Sequence, residues 1–286
     1  MTATKAVELN RYSAEATQPA AQDGAFKSIL SAPSLKQAHI LKDYRSFAQS
    51  ESLVRLSLRH KYSDLLIAVD RESWDPRIPT LAAQALLEAY TRLEGYKHPE
   101  WFSSFSPIAA FPDAPALVHR MSQASEEAGV GPMASVAGAV ADLVLERICA
   151  SFALRHCAVE NGGDCAVLCR DPSLIALGAG DSPFSGRLAV ELPAGRWGVA
   201  TSSGTTGHSV NFGKADACTI VAQSGAEADA WATRCSNAIK DTRGMEAASK
   251  LTVGRESIAA FFACAGETMY YRGTLPLVPI GGLTDE

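Results

Sequence analysis

Residues 152–170 read Phe-Ala-Leu-Arg-His-Cys-Ala-Val-Glu-Asn-Gly-Gly-Asp-Cys-Ala-Val-Leu-Cys-Arg, two apolar runs on either side of Asn161-Gly162-Gly163-Asp164. Asn-Gly and Gly-Gly suit turn positions with positive φ, so the stretch predicts a β-hairpin with strands over 152–159 and 164–170. Working downstream, apolar runs predict strands at 174–177, 188–191, 197–201 and 217–223. Upstream, 53–58 alternates and 65–69 is apolar, with His60-Lys-Tyr-Ser63 between them as a second hairpin connection. Helical spacing marks 79–94, a segment ending near 128 after a Pro-rich connection at 99–115, then 133–149 and 226–239. Residues 257–265 read as a further helix and 268–272 as a strand, before a Pro/Gly tail. Strands in consecutive runs with the helices segregated predict an α+β fold rather than a doubly wound sheet.

The chain has 286 residues, 47% of them apolar, which allows a large buried core and excludes a disordered protein. Residues 1–36 are polar and Ala-rich and read as a flexible N-terminal arm; 37–286 read as a single domain. Lys and Arg number 26 against 31 Asp and Glu, a net charge of −5 without basic runs. That excludes a general nucleic-acid binder, whose affinity rests on neutralising phosphates. No apolar run approaches the ~18 residues of a membrane span, and no secretory signal precedes the domain. The 7 cysteines form no Cys-x-x-Cys pair and read as small core residues in a reducing compartment. The expected setting is cytoplasmic, without a membrane partner.

Several familiar signatures are absent. There is no P-loop, no His-Glu-x-x-His, and no Gly-x-Ser-x-Gly around Ser202 or Ser203. Gly178-Ala-Gly180 lacks the third glycine of a dinucleotide fingerprint, and the 6 histidines have no metal-ligand spacing.

Four small-residue stretches remain. Asn161, Gly162, Gly163 and Asp164 form the tight turn. Ala200-Thr201-Ser202-Ser203-Gly204 runs on to His208, a strand entering a loop of hydroxyls and glycines. Such a loop either is simply solvated or offers backbone amides to a phosphate. Asp229 and Thr233, four apart on a helix, share one face. A carboxylate and a hydroxyl so placed suit Mg²⁺, which takes few protein ligands; an Asp stabilised by its helix dipole is the alternative. Residues 129–142, with Gly138 and Asp142, give a helix start that either packs closely on another helix or meets an anion.

In this order the four stretches resemble the ApbE-like superfamily of flavin transferases, and within it a cytoplasmic branch. The family pattern has Ala-Lys-Gly with a downstream Asp, then Gly-Gly-Asp, Ala-Thr-Ser-Gly, and Asp-Ala-x-x-Thr. Here the counterparts are Gly138 with Asp142, Gly162-Gly163-Asp164, Ala200-Thr201-Ser202 with Gly204, and Asp229-Ala230-x-x-Thr233, spread over 129–239. The resemblance implies a T-fold-like architecture, antiparallel sheets with helices packed on one side. It also implies a site for FAD or FMN, with Mg²⁺ on Asp229, Thr233 and a backbone carbonyl near Ala134. Family enzymes move FMN from FAD to a Thr or Ser hydroxyl of an acceptor protein and release AMP.

The departures are specific. Ala137 stands where the family has the lysine of Ala-Lys-Gly, and the His-x-x-Asp-Pro-x-x-Gly segment after Thr-Ser-Gly is missing. That removes the family's general base; His208 is the remaining candidate, with an ordinary loop histidine as the other reading. Two alternatives therefore accompany FMN transfer. One is a non-catalytic flavin or nucleotide-binding protein; the other is a T-fold enzyme acting on a pterin or purine.

Overall fold

A computed structural model describes residues 5–7, 52–205 and 210–280. The strands are β1 (Lys5–Val7), β2 (Leu53–His60), β3 (Ser63–Asp70), β4 (His156–Asn161), β5 (Asp164–Cys169) and β6 (Ser173–Ala176). They continue as β7 (Leu188–Leu192), β8 (Gly195–Ser202), β9 (Ala217–Ala222), β10 (Ile258–Ala265), β11 (Thr268–Gly273) and β12 (Leu277–Pro279). The helices are α1 (Ile78–Gly95), α2 (Pro99–Ser103), α3 (Ala116–Ala128), α4 (Val136–Ser151), α5 (Gly225–Ala238) and α6 (Gly244–Ser249).

The expected hairpin is present. Asn161 pairs with Asp164, and Gly162 (φ 70°) and Gly163 (φ 117°) supply the two positive-φ positions of a two-residue loop. Around it, an antiparallel eight-stranded sheet runs β11-β10-β9-β8-β5-β4-β3-β2. A four-stranded sheet runs β1-β6-β7-β12, with β1 parallel to β6 and the other pairs antiparallel.

The large sheet is buried on both faces. On one, Leu65, Ile67, Leu168 and Ile220 meet Leu86, Met121 and Ile148 of the helices. On the other, Val167, Val221 and Phe262 meet Ile175, Val190 and Leu192 of the small sheet. Each such large side chain contributes about 1.5–3 kcal/mol through burial. The α+β class, with helices on one side of an antiparallel sheet, is thus observed. Among the described residues no single helix is long and apolar enough to cross a membrane.

The helix expected at 257–265 is instead strand β10. It lies between β9 and β11, where Phe261 and Ala263 enter the helix-side core and Ala260, Phe262 and Cys264 enter the other. A strand covered on both faces loses its polar alternation, so its apolar run reads as either element. The strand expected from 152 begins only at His156, because α4 runs on to Ser151 and Phe152 N–H closes it on Ile148 O at 3.1 Å. Helices α2 and α6 and strand β12 occupy stretches where no element was expected; all are short. The arm expected over 1–36 lies outside the described residues apart from Lys5–Val7.

Candidate functional site

The site forms where α4 and α5 cross by their first turns. Ser224 starts α5, its Oγ accepting Glu227 N–H at 3.3 Å. Asp142 completes that start from α4, accepting Gly225 N–H at 2.8 Å and Ala226 N–H at 2.9 Å. In return Asp229 of α5 accepts Gly138 N–H, in the first turn of α4, at 3.0 Å. The helices touch backbone to backbone: a Cβ on Gly138 would stand 2.0 Å from Gly225 O. Gly138 is therefore required by the helix crossing, and its amide is committed to Asp229.

The hairpin turn comes up to the same point. Asn161 Nδ2 donates to Ala137 O at 3.2 Å, and buried Glu160 accepts Gly163 N–H at 2.6 Å. Asp164 accepts Thr201 N–H at 3.2 Å, and Thr201 shares a 2.8 Å hydroxyl contact with Thr219. The structure thus brings Ala137, Gly138, Asn161, Asp164, Thr201 and Asp229 together at the helix crossing.

Burial pushes the Asp229 carboxyl up to about 7; the Gly138 and Ala137 amides oppose this, and Asp142 adds to it. Burial and the nearby Asp229 charge hold Asp164 well above the usual carboxylate range, against the Thr201 amide. Asp142 is also raised by burial, although two amides favour its charged form. Asp164 is raised by the Asp229 charge and Asp229 by the Asp142 charge, so the three carboxyl groups form a site short of positive charge. Among the described residues no three His, Cys, Asp or Glu side chains gather into a metal cage. The donors at hand are carboxylates, hydroxyls and main-chain carbonyls, which suit a hard cation that keeps most of its water.

Thr233 lies one turn beyond Asp229 on α5, and Ala134 lies in the 3-10 turn Pro132–Ser135 that packs against α5. Ser202 sits at the end of β8, its Oγ accepting Asn211 Nδ2 at 2.7 Å; the same nitrogen donates to Ser236 Oγ at 2.9 Å. Ser203 and Gly204 follow in the loop: Ser203 Oγ accepts Thr205 N–H, and Gly204 N–H donates to Ala215 O. His208 lies outside the described residues. Sequence reasoning missed Glu160, Thr219 and Asn211. Only Glu160 had a signal, as a charge inside an otherwise apolar strand.

This fold and site define a class of protein. The chain is similar in structure to the flavin transferase ApbE from Vibrio cholerae, with a TM-score of 0.50 and 14% identity over 77% of this chain and 96% of that one. It is also similar to the flavinyl transferase ApbE of Pseudomonas stutzeri in its apo form, with a TM-score of 0.52 and 14% identity over 78% and 94%. At such identity the likeness shows the fold, which is ApbE-like. The chain belongs to the family described as AbpE bacteria, which matches residues 45–255. Relatives include UPF0280 proteins of Methanocaldococcus jannaschii, 39% identical over 62% of this chain and 72% of the relative, and of Methanosphaerula palustris, 33% identical over 79% and 94%.

Proposed function

We propose that the chain binds a flavin nucleotide, FAD or FMN, together with Mg²⁺. The observation that carries this reading is the Asp164–Asp229 carboxylate pair, short of positive charge, at the α4–α5 crossing of an ApbE-like fold. Asp229, Thr233 and the carbonyl of Ala134 would hold the ion, and bound Mg²⁺ would neutralise the pyrophosphate. Asn161, Asp164 and Thr201 brace the hairpin beside it. The turn at Gly162 and Gly163, and the loop of Ser202, Ser203 and Gly204, would lie along the nucleotide.

The reaction such a site would run is transfer of FMN to a Ser or Thr hydroxyl of an acceptor protein. The acceptor oxygen bonds to the FMN phosphorus, the bridging P–O bond breaks, and AMP leaves. The hydroxyl proton passes to a base, a role that falls to His208. Positioning and charge neutralisation supply most of what phosphoryl transfer needs. The 7 free thiols, six of them buried, favour the cytoplasm as the setting.

Ala137 favours a second reading, a binding protein without transfer, because the family's lysine is replaced and its histidine segment is missing. Mixing the protein with FAD and Mg²⁺ tests both. Retained flavin and a raised Tm are expected, and neither appearing would refute flavin binding. AMP release in the presence of a Thr-bearing acceptor supports transfer; retained flavin without AMP supports the second reading.

A further inference from the structure

The register of β5 and β8 sets Leu168 opposite Arg196. Arg170 is the first residue past β5. Residues directly opposite across a pair share a face of the sheet, so Leu168 lies on the face of Arg196. It is the face that the helices cover, since Leu168 belongs to the helix-side core. Helix α4 stops at Ser151, short of these arginines. Where it stops, Cys149, Phe152, Leu154 and Leu168 line a cavity of about 460 Å³, with Arg170 and Arg196 at its edge.

The charges there are unbalanced. Among the described residues neither Arg170 nor Arg196 has a side-chain hydrogen bond or an ion pair, and both lie on the exposed edge. The carboxylates that act on the cavity's thiols are already committed: Glu146 takes two 2.9 Å bonds from Arg120, and Asp171 takes Arg155 at 2.7 Å. Two guanidinium groups lining one cavity, one just past β5 and one on β8, offer several charge-assisted donors to an anion. Phe152, Leu154 and Leu168 make part of the lining apolar, which a bare inorganic ion would leave wet, and the Arg77 guanidinium stands 5.1 Å from the centre of the Phe152 ring.

We propose that this cavity binds an organic anion, its phosphate or carboxylate held by Arg170 and Arg196 and its flat apolar body lying against Phe152, Leu154 and Leu168. The volume is in the range of small-molecule sites. The cavity is distinct from the carboxylate site, because β5, β8 and α4 each have their other end there, at Asp164, Thr201 and Gly138. At about 3.3 Å per strand residue, β5 alone separates the two by roughly 17 Å. The inference therefore stands or falls independently of flavin binding.

Titration calorimetry on the full chain with phenyl phosphate and benzoate tests it, with inorganic phosphate and phenol as comparators. Cys149 supplies a second readout, being the one thiol among the described residues that is not fully buried. At least one aromatic anion is expected to bind more tightly than either comparator and to slow alkylation of Cys149. The Arg170→Gln/Arg196→Gln double variant is expected to weaken that binding by about tenfold or more. Absence of both heat and protection, affinity unchanged in the double variant, or inorganic phosphate binding as tightly as the aromatic anions would overturn the proposal.

Discussion

Asp142 and Asp229 cap each other's helices: Asp142 on α4 accepts the Gly225 and Ala226 amides that open α5, and Asp229 on α5 accepts the Gly138 amide in the first turn of α4. A helix start leaves amides without partners inside its own ladder, and here each start is completed by the other helix. The arrangement fixes the crossing and brings the Asp229 charge near Asp164 of the hairpin.

Replacing Asp142 with Ala leaves two buried amides unpaired. A loss of about 2–3 kcal/mol in urea unfolding is expected. In Asp142→Asn one oxygen still accepts one of the amides, while the NH2 that replaces the other oxygen faces the second amide, so part of that destabilisation should remain. Full stability in Asp142→Asn would show that one of the two hydrogen bonds contributes nothing to holding the start of α5.

Gly138→Ala should cost more than an ordinary helix Gly→Ala change, which stabilises a helix interior by up to about 1 kcal/mol. The added methyl would meet Gly225 O at 2.0 Å, backbone that cannot rotate away. A loss of about 3 kcal/mol or more is expected, with the helices forced apart. A variant as stable as the parent would show that the crossing relaxes freely.

Much of this fold is legible in the sequence because its signals are local. Asn161-Gly162-Gly163-Asp164 needs only its own backbone to turn, and α1 and α4 carry helical spacing along their length. Strand β10 is not legible, since Ala, Phe and Cys buried on both faces leave no period to read. The site divides the same way. Asp229 and Thr233 follow from spacing on one helix, whereas the Gly138–Asp229 bond joins residues 91 apart in the chain. No local pattern could show that Gly138 makes room for Gly225 O rather than for a phosphate.

Asp70 anchors the far end of β3 through four donors. Its Oδ2 takes Ser73 N–H at 3.0 Å and Ser73 Oγ at 2.5 Å; its Oδ1 takes His156 N–H at 2.8 Å and Arg155 N–H at 3.2 Å. Burial alone would raise its pKa, but these bonds together hold it below the usual value. A group lowered on folding contributes stability above its unfolded pKa near 3.8 and loses it as pH falls below that point. Asp70→Ala should cost about 2 kcal/mol at neutral pH, and the deficit should shrink as the solution is acidified. A pH-independent deficit would assign the loss to packing.

Asp229 behaves in the opposite sense. Its pKa rises from 3.8 unfolded to about 7 folded, so the folded protein holds the extra proton. Asp229's share of the stability without metal should therefore fall as pH rises from near 4 to near 7, and level off above that. A divalent cation held by the ionised carboxylate, as proposed above, would reverse the trend. The rise in Tm on adding Mg²⁺ should be small at about pH 5 and reach its full size above about pH 7. When Mg²⁺ stands about a hundredfold above its Kd, the full effect is about 2.7 kcal/mol. Asp229→Asn keeps an acceptor for Gly138 N–H while removing the charge, so it should fold, lose Asp229's share of the acid-to-neutral slope, and no longer respond to Mg²⁺. Thr233→Ala should weaken the response without changing the slope. If Mg²⁺ raises Tm equally at about pH 5 and about pH 8, or does so in Asp229→Asn, the ion is held elsewhere than on this carboxylate.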